Sequence, residues 1–273
     1  MYRLDREDFV KSRYVSLWSA LGFQAGFLNA FGFLACGRYV SHVTGVGTQM
    51  GIALGEGRPW FALELLGFPL SFIFGSFLSS LVTSARIERG LRPHYERISL
   101  LLPITILALL VFGSSGYFGP FGEQLIQTRD FLLLFLLSMV CGMQNGCFAT
   151  LTRGQIRTTH LTGISTDIGT DLARLWFGKL EGKEYRLTRR TNFSRIATFV
   201  AFACGSIVSV KLSQQLRYGA LVVPLLTSLV SWFVVQLISH RLDLKLKQKL
   251  VENASGATLG SSVPPSHSRI PLV

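Results

Sequence analysis

The sequence predicts an all-α membrane protein with six transmembrane helices arranged as a 3+3 inverted-topology repeat. Three observations predict this fold class: an apolar composition, a motif that occurs twice, and an uneven distribution of basic residues. Of the 273 residues, 49% are hydrophobic and 15% are charged. The charges avoid several apolar blocks of about 20 residues, which is the length that a helix needs to cross a bilayer. This composition excludes an ordinary soluble domain.

The duplicated motif is an Asn within an apolar block, followed by a polar segment with the pattern His-x-Thr-Gly-x-x-Thr-x-x-Gly. Motif one comprises Asn29 and residues 41–51, and motif two comprises Asn145 and residues 159–169. The two Asn residues are 116 positions apart, and the matching His, Thr and Gly residues are 118 apart. Agreement at so many positions indicates an internal duplication.

The apolar blocks divide the chain into a lead, two repeat units and a tail. Gly75-Ser76 in the second block matches Gly205-Ser206 in the fifth, so each unit should contain three spans. Three is an odd number, so the second unit must enter the membrane from the opposite face, as in many secondary transporters. The predicted segments are a polar lead, 1–14; unit 1, 15–128, with spans at about 15–36, 59–83 and 98–117; unit 2, 129–240, with spans at about 130–151, 193–212 and 218–240; and a tail, 241–273, basic at first and disordered from Val251.

The distribution of basic residues predicts the orientation. With the N-terminus inside, 22 of the 27 Lys and Arg residues fall in cytoplasmic segments, as the positive-inside rule requires. Both termini are therefore expected in the cytoplasm, with motif one toward the outside and motif two toward the cytoplasm. The same distribution accounts for the net charge of +12, so we expect the lipid bilayer as a partner and no nucleic acid. The sequence gives no signal for an oligomeric state.

The two motifs also carry a family resemblance. Gly26-x-x-Asn29, the segment 41–45, Gly142-Met-Gln-Asn145 and the segment 157–163 together resemble the YoaK-like family of uncharacterised membrane proteins (domain of unknown function 1275). The resemblance covers roughly residues 14–240 and implies a six-span protein of the bacterial inner membrane, without an established activity. Asn29 stands where the family often has an acidic residue, and Val46 stands where Asn is usual.

Eleven residues are candidates for lining a substrate path. Polar side chains within spans should face the bundle interior, where interhelical hydrogen bonding and a solute path are equally open interpretations. Histidine changes charge near neutral pH, so a proton-coupled role and simple hydrogen bonding are alternatives for the two motif histidines. The candidates are Asn29, His42, Thr44, Gly45, Gln144, Asn145, Thr159, His160, Thr162, Gly163 and Asp167.

The Thr-Gly pairs are expected to start short helices that re-enter the membrane or lie at its interface. Thr44 and Thr162 would be the N-caps, and Gly45 and Gly163 would permit positive φ or a close backbone approach. A helix start of this kind favours an anion, whereas a tight loop that only caps and packs is the alternative. Beyond motif two, we expect an Asp171–Arg174 pair and a solvated or headgroup-contacting surface formed by the basic residues of 179–195.

These features favour a secondary transporter of a small solute, with an anion as one candidate class. A non-transporting scaffold or regulator is the alternative. An intramembrane enzyme using His160 with Asp167 or Asp171 is the third hypothesis, but the sequence contains no nucleophile motif or metal-ligand cluster, so we expect no enzyme. The four cysteines lie in apolar blocks without metal-ligand spacing, which indicates packing residues. Neither a cofactor nor a metal is expected.

Overall fold

The computed structural model describes residues 2–123, 128–155 and 157–260. Within these ranges the protein consists of helices, turns and loops, without a strand. Six helices have 20 residues or more: α2, α4, α6, α7, α9 and α10. The elements in chain order are α1 (Arg6–Phe9), α2 (Ser12–Cys36), α3 (Val43–Gly55), α4 (Pro59–Val82), α5 (Ser84–Glu88), α6 (Tyr95–Ser114), α7 (Thr128–Leu151), α8 (Leu161–Phe177), α9 (Gly182–Leu216), a 3-10 helix (Arg217–Leu221) and α10 (Val222–Gly260).

One end of the bundle gathers the N-terminal lead and the connections that follow α4, α7 and α8; we call it the N-terminal end. The Tyr95 hydroxyl donates a hydrogen bond to the Tyr2 carbonyl oxygen (2.9 Å). The Leu4 amide donates to the Leu151 carbonyl oxygen (2.9 Å). Arg92 pairs with Asp243 of α10 (3.0 Å), so α10 also reaches this end.

The opposite end is closed by aromatic side chains. Phe31 of α2 packs on Phe121 (ring centroids 5.4 Å apart), and Phe121 packs on Tyr218 of the 3-10 helix (5.3 Å). Tyr218 also lies where a side chain at Gly113, near the end of α6, would stand. The chain therefore reverses at the 3-10 helix, and α9 and α10 run in opposite directions.

Five stretches of the described chain are long and apolar enough to cross a membrane: Ser12–Cys36, Pro59–Glu88, Tyr95–Ser114, Phe131–Leu151 and Gly182–Gln248. The sequence predicts six spans. The difference arises in the last stretch, whose 67 residues join α9 and α10 through the 3-10 helix. At 1.5 Å per residue, its helical length is about three times the roughly 30 Å of a bilayer core.

The closest helix packing occurs between α2 and α9 and between α4 and α7. A side-chain carbon added at Gly26 would overlap the backbone of Phe202, and one added at Gly142 would overlap the backbone of Phe72. The two contacts involve equivalent positions of the repeated sequence. Gly142 of α7 corresponds to Gly26 of α2, 116 positions earlier, and Phe202 of α9 corresponds to Phe72 of α4, 130 positions earlier. Glycine is required at both positions because the neighbouring backbones touch.

A second pair of contacts has the same relation. A side-chain carbon at Gly205 would overlap the Phe23 backbone, and one at Gly75 would overlap the Met139 backbone. The offsets are again 116 and 130. Thus α2 packs on α9, and α7, which carries the residues equivalent to those of α2, packs on α4.

Several boundaries differ from those expected. α6 is displaced by three residues from the predicted span 98–117, and α9 begins at Gly182 rather than near residue 193. α10 continues to Gly260, past Val251, because the Leu-Lys-rich segment before it favours a helix. The remainder of the predicted tail, 261–273, lies outside the described residues. Cys36, Cys141 and Cys147 are buried as expected, whereas Cys204 is exposed.

The glycine contacts generate a stability prediction. Gly26→Ala and Gly142→Ala should each destabilise the protein by about 1–3 kcal/mol, because the added methyl group overlaps a backbone that cannot move away. Thermal unfolding of the purified protein in detergent measures the change. Gly51→Ala is the matched control, since Gly51 is helical and has open space around it; alanine should be neutral or slightly stabilising there. An equal loss in all three variants would contradict the close packing.

Candidate functional site

Motif one folds back along α2. The side-chain Oδ1 of Asn29 accepts hydrogen bonds from the Ser41 amide and the Ser41 hydroxyl, both at 3.1 Å. Asn29 lies seven residues before the end of α2 at Cys36, which is about 10 Å along the helix. The segment 37–42 must therefore return by about that distance to bring Ser41 beside Asn29.

Motif two folds back along α7 in the same manner. The Gln144 Nε2 donates to the Thr158 Oγ1 at 2.7 Å. Gln144 also lies seven residues before its helix ends, at Leu151. Both polar segments thus return toward the middle of the bundle, one from each end.

A short helix starts at each returning segment. α3 begins at Val43 and α8 begins at Leu161, with His42 and His160 at the N-cap positions. The expected N-caps, Thr44 and Thr162, instead lie in the first turns, and the His side chains form no cap hydrogen bond. The helix starts were predicted in the right place, but the capping residue was wrong, because the chain turns two residues earlier than the Thr preference indicates.

The expected role of the motif glycines is also corrected. Gly45 and Gly163 have helical backbones and are absent from the positive-φ residues of the described chain. At Gly45 a neighbouring side chain leaves no room for a larger residue, because an added side-chain carbon would overlap the His42 ring. At Gly163 the His160 Nδ1 would stand at 3.9 Å, an ordinary contact. Only Gly45 therefore has a steric requirement for glycine.

Both motifs line one cavity of about 780 Å³. It lies beside Phe202, the residue that touches Gly26 near the middle of α2. Seven of the eleven candidates line it: Asn29, His42, Thr44, Thr159, His160, Thr162 and Gly163; the other lining residues are Tyr39, Ser41, Val43, Leu161 and Phe202. The N-termini of α3 and α8 thus open onto one space, which we call the central cavity.

A smaller cavity of about 290 Å³ adjoins the central cavity, because His160 and Gly163 line both. Its other lining residues include Arg157 and Asp167. It is also lined by Gly154 and Gln155 of the connection after α7, which places it toward the N-terminal end. Asp167 therefore lies beside the central cavity rather than in its wall.

Gln144 belongs to a buried polar network between helices. Its Oε1 accepts from the Gln24 Nε2 (3.0 Å), and the Gln24 Oε1 accepts from the Thr227 hydroxyl (2.9 Å). Gln144 Nε2 also donates to the Leu21 carbonyl oxygen at 3.0 Å. Gln24 and Gln144 are both fully buried, so this network joins α2, α7 and α10. For Gln144, this arrangement corresponds to interhelical hydrogen bonding, one of the two interpretations given for polar residues within spans.

The two motifs differ in their hydrogen bonds. Asn145 and Thr159 are the sequence equivalents of Asn29 and Ser41, but the Asn145 Oδ1 and the Thr159 Oγ1 are buried without a partner among the described residues. Buried polar atoms are nearly always paired. Motif one is therefore held to α2 through Asn29, whereas motif two is held to α7 through the Gln144–Thr158 hydrogen bond.

An ion cluster centred on the buried Arg195–Asp171 pair joins α8 to α9. Arg195 pairs with Asp171 at 2.6 Å and with Asp167 at 2.9 Å. The expected Asp171–Arg174 contact is present at 3.5 Å. Arg195 was predicted to belong to a solvated basic surface, which is wrong for this residue, since it is only 8% exposed. Its distance of 24 positions from Asp171 gave no local signal of the pairing.

Other site residues were missed because nothing in their spacing marks them. Phe202 lies within an apolar block, and only the packing of α9 on α2 brings it to the central cavity. Tyr39 stacks on Phe33 (ring centroids 4.6 Å apart) and meets the His42 ring edge-on at 6.0 Å. Tyr39 lines the central cavity on the side of motif one.

The ion cluster generates a second prediction. Arg195→Met should destabilise the protein by about 3–5 kcal/mol, because the buried Asp171 would lose its contact at 2.6 Å and keep only the longer one, at 3.5 Å, to the half-exposed Arg174. Chemical unfolding in detergent micelles measures this loss. Combining Arg195→Met with Asp171→Leu should recover most of it, while Arg189→Met, an exposed neighbour on α9, should change stability by less than about 0.5 kcal/mol. A double variant no more stable than Arg195→Met would contradict the pairing.

Comparison with known proteins gives the chain a family. The sequence profile of the family described as "Protein of unknown function (DUF1275)" matches residues 17–234. A protein of Bacillus subtilis (strain 168), the UPF0700 transmembrane protein YoaK, is 23% identical over 194 residues, which are 71% of this chain and 81% of YoaK. No solved structure matches the chain. The protein is therefore a membrane protein that belongs to the DUF1275 family, whose function is unknown.

Proposed function

We propose that the protein is a secondary transporter of a small anionic solute, which binds in the central cavity. The observation that carries the proposal is that both Thr-Gly helix starts line this one cavity. Its volume of about 780 Å³ falls within the range of small-molecule sites. Transporters of this kind commonly bind their substrates between interrupted helices near the middle of the membrane.

The chemistry of the cavity wall favours an anion. The first turns of α3 and α8 present backbone N–H groups and the positive ends of two helix dipoles. His42 and His160 add ring nitrogens, and Thr44 and Thr162 add hydroxyl groups. The described residues that line the cavity include no Asp or Glu. A small anion would thus meet donors from both halves of the chain and no carboxylate.

The inverted repeat and six crossings are part of the proposal. They are supported by the alternating direction of the six long helices and by the repeated glycine contacts between α2 and α9 and between α4 and α7. In this arrangement the motif-one segment enters from the outside and the motif-two segment enters from the cytoplasm. Two segments that reach one cavity from opposite ends are what alternating access requires.

The orientation follows from charge. Segments at the N-terminal end carry most of the Lys and Arg residues, including the nine between positions 152 and 195. The positive-inside rule therefore favours a cytoplasmic N-terminal end, in a bacterial inner membrane. In this orientation the smaller cavity beside His160 extends the central cavity toward the cytoplasm.

Two features support an assignment of the conformation of the proposed transporter. The smaller cavity continues the central cavity toward the N-terminal end. Asn29 is bonded to Ser41, whereas the Asn145 Oδ1 and the Thr159 Oγ1 have no hydrogen-bond partner among the described residues. We infer that the described conformation faces the cytoplasm. In the outward-facing state the Asn145–Thr159 hydrogen bond would form and the Asn29–Ser41 hydrogen bonds would break, as the equivalence of the two motifs requires.

The topology gives a third prediction. Reporters that are active on only one side of the membrane are fused after His240 and within residues 118–123. The first fusion should report the cytoplasm and the second the periplasm, because six crossings return the chain to its starting side. A periplasmic signal after His240 would contradict six crossings and the cytoplasmic tail.

The transport proposal gives a fourth prediction, which uses single cysteines at Thr44 and Thr162 in a variant that lacks the four native cysteines. Both positions are exposed and line the central cavity, whereas Val46 and Ile164, the neighbours in each motif, are buried. Without solute, a membrane-impermeant reagent should label Thr162→Cys from the cytoplasmic side faster than it labels Thr44→Cys from the outside. A bound small anion should change the two rates in opposite directions.

The labelling experiment screens a panel of inorganic and small organic anions in oriented vesicles. Cysteine at Gln49, an exposed position of α3 outside the cavity, is the control and should not respond. A ligand can shift the equilibrium only as far as its affinities for the two states differ, so the signs of the changes are decisive. If an anion protects both cavity positions equally, or if none in the panel alters either rate, the anion transporter is rejected and the scaffold becomes the leading function.

A further inference from the structure

A second, larger cavity lies on the outer surface of the α2–α9 pair, at the N-terminal end. The two helices touch from Gly22 onward, where a side-chain carbon would stand 2.8 Å from the Thr198 carbonyl oxygen. On the N-terminal side of that contact, residues of both helices line a groove of about 840 Å³. It is lined by Val10, Lys11, Ser12, Val15, Ser16, Ser19, Arg190, Phe193 and Ala197. We call it the α2–α9 groove.

The groove continues into a basic mouth. A cavity of about 240 Å³ shares Val10, Lys11 and Arg190 with it and is further lined by Glu7, Lys183, Arg186 and Leu187. Four basic side chains thus surround the mouth with one carboxylate, Glu7. Lys183 pairs with Glu7 at 2.5 Å, and Lys11 pairs with Asp8 at 2.5 Å.

Two arginines at the mouth are available for an anion. Arg186 and Arg190 are exposed and form no ion pair with any described residue. They lie four positions apart on α9 and therefore project from the same face of the helix. Guanidinium groups favour phosphate because their N–H donors match its oxygens in pairs.

The same face of α9 changes from basic to apolar along the helix. Residues 183, 186 and 190 are basic, and 193 and 197 are Phe and Ala, at spacings of three and four. The change coincides with residue 193, where the apolar block begins. Phe193 is 63% exposed and lines the groove together with Val15. A ligand that fits both parts must have a negative head and an apolar chain.

We propose that the α2–α9 groove binds an anionic glycerophospholipid, with its phosphate at Arg186 and Arg190 and an acyl chain between Phe193, Ala197 and Val15. Basic pockets between transmembrane helices on the cytoplasmic side are suited to such head groups. A soluble phosphate would use only the mouth and would leave the apolar part empty. In the proposed orientation the lipid comes from the cytoplasmic leaflet, and its binding does not depend on transport.

The test uses native mass spectrometry of the full-length protein, delipidated in mild detergent. Phosphatidylglycerol and phosphatidylethanolamine with identical acyl chains are titrated separately. Phosphatidylglycerol should bind the wild type more tightly, and Arg186→Gln combined with Arg190→Gln should weaken its affinity about 10-fold to 30-fold, because two charges near the phosphate are lost. Phosphatidylethanolamine affinity should change much less.

The matched charge control is Arg89→Gln combined with Arg189→Gln, two exposed arginines outside the groove. This variant loses the same charge and should retain phosphatidylglycerol affinity. Ala197→Trp should weaken binding by filling the apolar part, whereas Val200→Trp, at an exposed position of α9 outside the groove, should not. All four variants are first checked for monodispersity.

Three outcomes would overturn the proposal. Equal affinity of the wild type for the two lipids would remove the head-group preference. Equal weakening by both double variants would indicate general charge attraction rather than a site. Displacement of phosphatidylglycerol by soluble glycerol phosphate would assign the mouth to a soluble anion and leave the apolar part of the groove without a role.

Discussion

The contact between Gly26 and Phe202 is the constraint on which the rest of the structure depends. It allows the backbones of α2 and α9 to touch, and in a membrane such close packing substitutes for the hydrophobic effect, which is absent between helices in lipid. The contact also places Phe202 in the wall of the central cavity. Nearer the N-terminal end, the α2–α9 groove lies along the surface of the same helix pair. Both proposed ligand sites thus lie along the helix pair that this contact holds together.

Polar side chains near the middle of the bundle form hydrogen bonds with the two segments that fold back along α2 and α7. Asn29 is bonded by the backbone and side chain of Ser41, and Gln144 is bonded by Thr158. A membrane interior supplies no water for these groups, so the protein must provide their partners. The returning segments therefore provide buried partners and also bring two helix starts to one cavity. Among the described residues, the Asn145 Oδ1 and the Thr159 Oγ1 have no such partner.

The helical class, the approximate position of four long helices and the two helix starts of the motifs could be predicted from the sequence. They follow from local signals: apolar length, and a polar pattern repeated at a fixed distance. Three features could not be predicted from the sequence: the pairing of Arg195 with Asp171, the position of Phe202 at the cavity, and the packing of α2 on α9 and of α7 on α4. These depend on contacts between residues far apart in the chain, and the basic residues around Arg195 resemble a solvated surface until α8 packs on them. The capping residue was missed for a different reason, since Thr preference at N-caps is a weak local tendency that the turn at His42 and His160 overrides.

The packing of α2 on α9, a helix much later in the chain, has a consequence for how the protein is made. α2 is synthesised early, but Phe202, the packing partner of Gly26, is synthesised 176 residues later. At translation rates of about 5–20 residues per second, this interval is roughly 9–35 s. During that time Gln24, which is finally bonded to Gln144 and Thr227, has an amide group in the membrane without those partners. Because α2 contacts α7, α9 and α10 in the finished structure, the first half of this protein cannot complete its fold before the last helix is made.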